Sequence, residues 1–463
     1  MRNSLYKKYF LVLLLFISAL SCTKLDLKPT DSIDPEKAFR NIGDINAGLL
    51  GAYAAADYTQ ISINSTISDE ATFPTENTVG NSDAYRWLYN GSSGSVTTLY
   101  SDYYRGIDRV NRTLAAMDKL NFTGADLSLA NRYKGELLAL RAYFHFELLR
   151  AYASNYQNGA LGIPYMKTSV AGYPARDPFE TVISNTKADL VAARALIPSS
   201  FTDKTRITLL AVAATQARVA LYEKNWNDAV NFSTEVITGA PLATRAQLPG
   251  IWTDANDNEV IWKLKRAGTT DSRVGDFYFR QTGGIVLYAP SMKLINTFDR
   301  VNDARFSAYI KYDPTRTGTK SQYLVNKYIG GTATAPGLAD IKLFRTGEMF
   351  LIRAEAKAET GGDGAADLNA LRTARIAGYT NAAFGDKAAL IDAIYIERFK
   401  ELAFEGHRFY DLRRRGLAVQ RLAEDAVNAS GAVTLLPTQA QYALPIPASE
   451  VLINKNTVQN PNY

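Results

Sequence analysis

The strongest constraint on the fold is a helical repeat of apolar residues in the stretch YKGELLALRAYFHFELLRAY, residues 133–152. Its large apolar side chains return every three or four positions, at Leu137, Leu140, Phe144, Leu148 and Tyr152. This spacing places them on one face of an α-helix, whereas a half-buried strand alternates every two residues. We therefore expect a long buried helix here, in a chain that is mainly α.

A second segment predicts a helical hairpin. In residues 209–237 two helical patterns meet at residues 224–226, with the small residues Ala217 and Ala220 before the turn and Ala229 after it. Small side chains at these places allow two antiparallel helices to approach closely. The pattern is typical of a tetratricopeptide unit, in which helix pairs stack into a superhelix.

A third segment, residues 350–378, predicts another hairpin, with Gly361, Gly362 and Gly364 forming the turn. The 34-residue period of a regular tetratricopeptide array is not maintained between the two hairpins. We therefore expect a degenerate, interrupted repeat.

The stretches 58–100 and 239–290 show few helical steps and are rich in Gly, Ser, Asn and aromatic residues. Within the second stretch, EVIWKLK at 259–265 alternates as a short strand. Long loops in a compact fold commonly carry binding functions. These two stretches are therefore the first places to look for ligand contacts.

The N-terminus resembles an export signal. Arg2, Lys7 and Lys8 precede a twelve-residue apolar stretch at 9–20, which is short of the roughly 20 residues that a transmembrane helix needs. Cys22, the single cysteine of the chain, follows small residues at the end of this stretch, as in a bacterial lipoprotein box. We predict a signal peptide at 1–21, lipidation of Cys22 and a tether at 22–34. An acylated Cys22 leaves no cysteine for a disulfide.

Composition excludes few functions. The full chain of 463 residues has a net charge of +6, and removal of the three basic signal residues leaves 49 basic and 46 acidic residues. The only basic run, at 413–415, is short enough to be a charged helix end, so we expect no nucleic-acid partner. With 46% apolar residues, the chain can form a large core.

The most charged stretch is ERFKELAFEGHRFYDLRRRG, residues 397–416, and it has two possible interpretations. If residues 390–404 are helical, Glu397 can pair with Lys400, and Glu405 can pair with Arg408. Charges among bulky apolar residues must be paired, which favours a structural network.

The alternative interpretation is catalytic. A glycosidase needs two carboxylates, and four are present in this stretch: Glu397, Glu401, Glu405 and Asp411. We favour the structural network, and we expect His407 to be packed or to cap a helix.

No cofactor or metal site is predicted. The two histidines, His145 and His407, belong to separate helical segments. DANDNE at 254–259 places oxygen ligands at alternating positions but lacks the glycine of a calcium loop. GSSGS at 91–95 and GTKS at 318–321 are incomplete nucleophile and phosphate motifs.

Two aromatic segments are candidates for ligand binding, because sugar rings stack on aromatic faces while their hydroxyls bond polar side chains. The denser one is DAYRWLYN at 83–90, and its candidate residues are Tyr85, Arg86, Trp87, Tyr89 and Asn90. The alternation of its rings is also what a half-buried strand shows, so simple packing is the competing interpretation.

The second segment is DFYFRQTGGIVLY at 276–288, where Tyr278, Arg280 and Tyr288 flank a pair of glycines that would let the loop move. Trp226 and Trp252 are weaker candidates, since Trp226 fits the hairpin turn.

Five segments resemble, in the same order, the SusD/RagB family of outer-membrane nutrient-uptake lipoproteins from Bacteroidetes. They are YYRGIDRVNRTL with the long helix after it, FDRVNDARFSAYI, FLIRAEAKAETGG with LNALRTARIAG, the charged stretch 397–416, and the closing ALPIPASEVLINKNTVQNPNY. The family's ligand residues vary, so the candidates above come from residue chemistry alone.

The resemblance implies a tetratricopeptide-like helical superhelix with an irregular, loop-rich second half. It implies an N-terminal helical region at 35–240 and a C-terminal region at 241–463, packed together as one unit. It also implies a lipid-anchored protein of the outer membrane that faces the cell exterior.

The function implied by the resemblance is binding of an oligosaccharide and its delivery to a SusC-type TonB-dependent transporter, without catalysis. Two alternatives stay open. One is a peptide-binding protein of the RagB type, and the other is a lipoprotein hydrolase.

Overall fold

The computed structural model describes residues 38–463, apart from residues 79, 81, 269, 329, 333 and 334. The predicted signal peptide, the lipidated Cys22 and the tether at 22–34 lie outside the described residues.

The chain is mainly α-helical, as expected. The helices are α1 Ile42–Tyr53, α2 Thr59–Ile67, α3 Ser82–Tyr85, α4 Gly94–Met117, α5 Gly124–Tyr152, α6 Phe179–Leu196, α7 Leu209–Glu223, α8 Trp226–Gly239, α9 Leu248–Trp252, α10 Val274–Tyr278, α11 Met292–Ile295, α12 Ala304–Tyr309, α13 Thr346–Thr360, α14 Gly364–Arg375, α15 Lys387–Glu401, α16 Arg408–Arg414 and α17 Ala448–Ile453.

The strands are short and pair as antiparallel two-stranded sheets: β1 with β5, β2 with β10, β3 with β4, β6 with β7, β8 with β9 and β11 with β12. Most of them stiffen the loop-rich half. Their bounds are β1 Ala71–Thr72, β2 Val260–Leu264, β3 Phe279–Arg280, β4 Ile285–Val286, β5 Ala289–Pro290, β6 Ile310–Tyr312, β7 Tyr323–Val325, β8 Gly331–Thr332, β9 Ala335–Pro336, β10 Ile341–Arg345, β11 Val419–Gln420 and β12 Thr434–Leu435.

The long helix α5 is confirmed, and it is buried more completely than one apolar face requires. The five apolar residues that predicted it are all buried, but so are polar residues on its other sides, such as Glu136 and Arg141. Buried charges need partners, and Glu136 accepts from Arg206 at 2.7 Å while Arg141 donates to Asp189 at 2.7 Å. The helix therefore has packed neighbours all around its C-terminal half.

Both predicted hairpins are confirmed, as α7–α8 and α13–α14. Lys224 ends the first helix of one hairpin with a left-handed φ of 60°. Gly361 does the same in the other hairpin, with a φ of 79°. Gly364 begins α14 so close to α13 that a Cβ there would lie 2.3 Å from the carbonyl oxygen of Ala354. A larger residue at this position would push the two helices apart.

Helix α13 packs on α8, so the two hairpins stack although more than 100 residues separate them in the chain. The predicted strand at 259–265 is confirmed as β2, which pairs with β10 just before α13.

Buried apolar residues from Ile45 to Ile446 form one main core, and a smaller cluster lies around α13–α15. The division of the chain at residues 240 and 241 stays a prediction. Among the described residues, no helix is long and apolar enough to cross a membrane.

Candidate binding site

The first aromatic candidate segment, residues 83–90, folds as the short helix α3 followed by a turn, so its alternation does not come from a strand. Trp87 lies in the turn with a left-handed φ of 56° and donates from Nε1 to the carbonyl oxygen of Ile67 at 2.9 Å. Tyr85, Trp87 and Tyr89 are all buried. Their rings support the loop from inside.

Two further contacts fix these rings in place. The Arg421 guanidinium lies between Tyr85 and Trp87, 3.8 Å and 4.2 Å from their ring centroids. Tyr85 donates to the carbonyl oxygen of Asp425 at 2.7 Å, and burial raises its pKa. Because the polar atoms of the buried rings are already bonded, ligand contact by this segment falls first to its outer residues, the half-buried Arg86 and the exposed Asn90.

The second candidate segment is divided in the same way. Tyr278 and Tyr288 are buried, and the Tyr278 hydroxyl lies 2.9 Å from Ser65 Oγ. Arg280 is exposed on β3, beside the tight turn that Gly283 and Gly284 make with φ of 87° and 60°. The predicted ligand roles of both segments stay predictions; of the candidates, Arg86 is half-buried and Asn90 and Arg280 are exposed.

The fold brings the two segments together through a chain of rings that we call the aromatic ladder: Tyr58, Phe277, Tyr288, Phe73 and Tyr85. Successive ring centroids are 6.4, 4.7, 5.9 and 5.8 Å apart. The last three rings are buried, whereas Tyr58 and Phe277 are only half-buried. The ladder thus runs from the core to the surface.

Polar groups surround the two outer rings. Asp57 accepts from Ser272 Oγ at 2.7 Å and from Arg266 Nη2 at 3.0 Å. Asp276, in the same helical turn as Phe277, is exposed, and partial desolvation raises the pKa of its carboxyl. Two aromatic faces beside carboxylates, a hydroxyl and a guanidinium can stack on a sugar ring and bond its hydroxyls.

The loops around this end are tied by Glu76. Its carboxylate accepts from Arg316 at 2.6 Å, from the backbone N–H of Ser321 at 2.8 Å and from that of Val286 at 3.2 Å. One carboxylate therefore holds the β3–β4 and β6–β7 loops to the segment after β1. A single charged group with three donors fixes these loops more firmly than separate surface contacts would.

A second accessible aromatic pair lies on the β6–β7 hairpin. Tyr312, half exposed, and Tyr323 have centroids 5.0 Å apart, and Arg300 Nη1 donates to the Tyr323 hydroxyl at 3.4 Å. Sequence reasoning did not single out this pair, Tyr58 or Phe277 as candidates. Phe277 stands in the segment that was singled out, but its exposure depends on the turn of α10.

The charged stretch 397–416 is mostly buried, and its carboxylates pair with cations. Glu397 pairs with Arg372 at 2.7 Å and with Lys400 at 3.3 Å, the latter as predicted. Glu401 bonds Arg345 and Arg375, each at 3.0 Å. The helix here, α15, spans Lys387–Glu401 and so lies within three residues of the predicted bounds.

The predicted pair between Glu405 and Arg408 is wrong. Glu405 instead bonds Arg345 and Lys327, each at 2.6 Å, while Arg408 bonds Asp69 at 2.6 Å. The backbone leaves the helix after Glu401, so the two side chains no longer share a helical face. Long-range partners replace the local one.

The electrostatics of this network oppose acid catalysis. Burial by itself raises the pKa of Glu397, but the Arg305 guanidinium and other nearby cations lower it to about 2. A glycosidase needs one carboxyl whose pKa is raised so that it can donate a proton. The lowered pKa of Glu397 is the opposite of what the acid role in the predicted catalytic alternative requires.

The histidines and the 254–259 loop also have structural partners. Burial lowers the pKa of His145 to about 3, and its Nε2 accepts from the backbone N–H of Met166 at 2.9 Å. His407 is buried at the start of α16 without a side-chain cap.

In the 254–259 loop, which was considered for calcium, Asp254 pairs with Lys342. Among the described residues, no group of three or more His, Cys, Asp or Glu side chains is placed to hold a metal ion.

Comparison with known proteins agrees with this architecture. The sequence profile of the SusD family matches residues 307–463, and a second profile, described as "Starch-binding associating with outer membrane", matches residues 25–221. Among curated proteins, SusD-like protein P25 of Formosa agariphila is 22% identical over 95% of each chain. SusD-like protein P38 of the same organism is 24% identical over 89% of this chain and 91% of its own.

Solved structures share the fold. A SusD superfamily protein from Bacteroides thetaiotaomicron superposes with a TM-score of 0.80 at 22% identity, covering 91% of this chain and all of that one. A structure described as a laminarin-binding SusD-like protein has a TM-score of 0.71 at 20% identity, covering 92% of this chain and all of its own. Two matching profiles, full-length relatives and a shared helical fold lead to one conclusion: this chain belongs to the SusD family.

Proposed function

We propose that the protein binds an oligosaccharide nutrient at the outer end of the aromatic ladder, where residues of both halves of the chain meet. The observation that carries the proposal is the half-buried pair Tyr58 and Phe277. Phe277 stacks on the buried Tyr288, Tyr58 lies against Phe277 at a tilt, and Asp57 and Asp276 are their chain neighbours. Rings held from behind present a fixed apolar face, which lowers the entropy lost when a sugar stacks on them.

The exposed side chains of the two predicted segments complete the site. Arg86, Asn90 and Arg280 reach solvent and can bond sugar hydroxyls, while Tyr85, Trp87, Tyr89, Tyr278 and Tyr288 support the platform from the core. The laminarin-binding relative and the starch-binding description of the second profile support a glycan as the ligand.

The bound sugar is then delivered to a SusC-type TonB-dependent transporter, and the protein itself carries out no chemistry. Its N-terminus supports an outer-membrane anchor through lipidated Cys22, with the binding half displayed at the cell exterior. Residues 35–240 and 241–463 act together as one rigid body on this anchor. The family resemblance supports the transporter as the partner.

Isothermal titration calorimetry of the purified protein tests the binding step. Laminarin-type and starch-type oligosaccharides are compared with oligopeptides, and the same samples are analysed for cleavage products. Saturable glycan binding without cleavage supports the proposal. Binding of peptides alone, or any turnover, contradicts it.

Membrane attachment and delivery need a separate experiment in cells. Radiolabelled palmitate should enter the wild-type protein but not Cys22→Ala, and protease added to intact cells should digest the wild-type protein. A barrel transporter should copurify with the wild-type protein after mild detergent extraction. Retention of Cys22→Ala in the outer membrane, or protection from protease, would contradict the anchor or the outward display.

A further inference from the structure

A pocket separate from the aromatic ladder lies where the α7–α8 turn meets the ends of α13 and α16. It has a volume of about 270 Å³. Its lining comes from the α7–α8 turn, the last turn of α13 and the end of α16: Lys224, Trp226, Glu359, Arg414 and Arg415. None of these residues belongs to the aromatic ladder or its polar border.

Trp226 is the accessible indole of this protein. The chain has four tryptophans, and three of them, Trp87, Trp252 and Trp262, are no more than 7% exposed. Trp226 is half-buried at the first position of α8. Sequence reasoning assigned it to the hairpin turn.

The hairpin turn itself does not require an indole at position 226. The left-handed Lys224 ends α7, and Asn225 Oδ1 accepts from the backbone N–H of Asp228 at 3.2 Å to cap α8. These two residues complete the turn. Trp226 packs partly on the main core, and the half of the indole that stays accessible is available to a ligand.

The pocket carries more positive than negative charge. Arg414 is neutralised by Glu355 through bonds of 2.6 and 2.8 Å, and Arg415 bonds Glu359 at 2.8 Å. Lys224 is exposed and has no ion pair or side-chain hydrogen bond among the described residues. Its ammonium is therefore free to meet an anionic group.

A ring face beside cations fits an acidic sugar. We infer that this pocket is a second carbohydrate site, which takes one uronic acid residue of an acidic oligosaccharide. Trp226 stacks on the ring, Lys224 and Arg415 bind its carboxylate, and Glu359 accepts from a hydroxyl. Drug-sized ligands occupy about 300–1,000 Å³, so a pocket of this size suits a single ring. The inference takes the sugar class from the proposed function but uses different residues.

Tryptophan fluorescence of the full chain tests this site selectively, because the other three indoles are shielded. Trigalacturonate and trimannuronate are titrated while the emission and its quenching by acrylamide are followed. We expect a saturable change in emission and protection from acrylamide with at least one acid. The methyl ester of that acid keeps the rings and loses the charge, and we expect it to bind at least tenfold more weakly.

Matched variants separate the pocket from general charge effects. Lys224→Gln and Arg415→Gln should each weaken binding of the acidic oligosaccharide about fivefold, as expected for the loss of one partly exposed ion pair. Lys119→Gln removes an exposed charge in the turn after α4 and should have no effect. Trp226→Phe should abolish the fluorescence change, while calorimetry still detects weakened binding.

Three outcomes would overturn the inference: no response to either acid at millimolar concentration, equal responses to acid and ester, or an equal response to inorganic sulfate. The proposed function fails separately, if neutral oligosaccharides do not bind in calorimetry. Phe277→Ala should leave the Trp226 response unchanged, so the two sites are tested independently.

Discussion

The buried charge network and the aromatic ladder use opposite strategies for residues that look functional in the sequence. The network joins Arg305, Arg345 and Arg375 to Glu397, Glu401 and other carboxylates, and all five of these side chains are buried and paired. The ladder is equally dense but ends in two half-buried rings. The charges of the network are paired with one another inside the protein, whereas the outer end of the ladder is partly exposed.

The physical reason for this difference is the cost of desolvation. A charge removed from water must have its partners built in, because an unpaired one would cost several kcal/mol. An aromatic ring can be half exposed at little cost and still be held by its buried neighbours. The dense charged stretch is therefore part of the scaffold in this protein, whereas the ring column that reaches the surface is the proposed binding platform.

The largest expected effect is on the network side of the comparison. Arg345→Ala should lower the free energy of unfolding by about 4 kcal/mol, because it leaves Glu401 and Glu405 short of a buried partner. Chemical denaturation measures this. The control is Arg112→Ala, whose exposed pair with Asp108 should contribute less than about 1 kcal/mol. Equal effects of the two variants would contradict a closed structural network.

Trp87→Ala tests whether the inner rings support the loop or touch the ligand. We expect the free energy of unfolding to fall by about 3 kcal/mol, since the change leaves a cavity and removes the ring against which Arg421 packs. Denaturation and calorimetry are measured on the same samples. The exposed Leu88→Ala serves as control. Unchanged stability with loss of glycan binding would instead make Trp87 a ligand residue.

The buried Glu70, which bonds the backbone of the charged stretch at Phe404, predicts a pH dependence. It accepts from Ser65 Oγ at 2.6 Å and from the backbone N–H of Phe404 at 3.2 Å, and burial raises its pKa to about 7. The folded protein thus holds a proton that the unfolded chain releases near pH 4.5. The stability from Glu70 is fully present below pH 4.5 and is lost as the pH rises through 7.

Denaturation at pH 5 and pH 7.5 measures this contribution. From pH 5 to pH 7.5 the free energy of unfolding of the wild-type protein should fall by about 2 kcal/mol more than that of Glu70→Gln. Asp69→Asn is the control. Burial raises the pKa of Asp69, but Arg408 and Lys293 outweigh burial and lower it to about 2, so its contribution should stay constant over this range. A flat difference for Glu70→Gln would contradict the assignment.

The smallest expected effect concerns the open end of the ladder. Phe277→Ala should weaken oligosaccharide binding about tenfold, or about 1.4 kcal/mol, through the loss of one stacking face. Calorimetry compares it with Phe277→Leu, which keeps an apolar side chain without a ring, and with Tyr312→Ala on the other exposed pair. If Tyr312→Ala alone weakens binding, the platform is the Tyr312–Tyr323 pair.

Local patterns predicted the helical scaffold well. The three-to-four spacing in 133–152 predicted α5, and turn residues near 224 and 361 located both hairpins, because these signals depend on nearby residues alone. The pair between Glu397 and Lys400 was predicted for the same reason. The predicted pair between Glu405 and Arg408 was wrong because both side chains bond residues that lie far away in the chain.

The candidate site was predicted only by region. Both aromatic segments were recognised, and the structure joins them in one ladder, but the sequence could not show which rings face inward. Tyr85 and Trp87 are buried because a short helix and a left-handed turn direct them to the core, while Phe277 is turned toward solvent by α10. Spacing alone does not encode those directions.

The sequence by itself determined the helical periods, the hairpin turns and the family resemblance, since each is written in residues close together in the chain. The tertiary structure decided which charges are closed within the network, which rings reach the surface, and that Trp226 lies beside Arg415. These depend on contacts between residues up to several hundred positions apart, and such contacts are fixed only when the whole core packs.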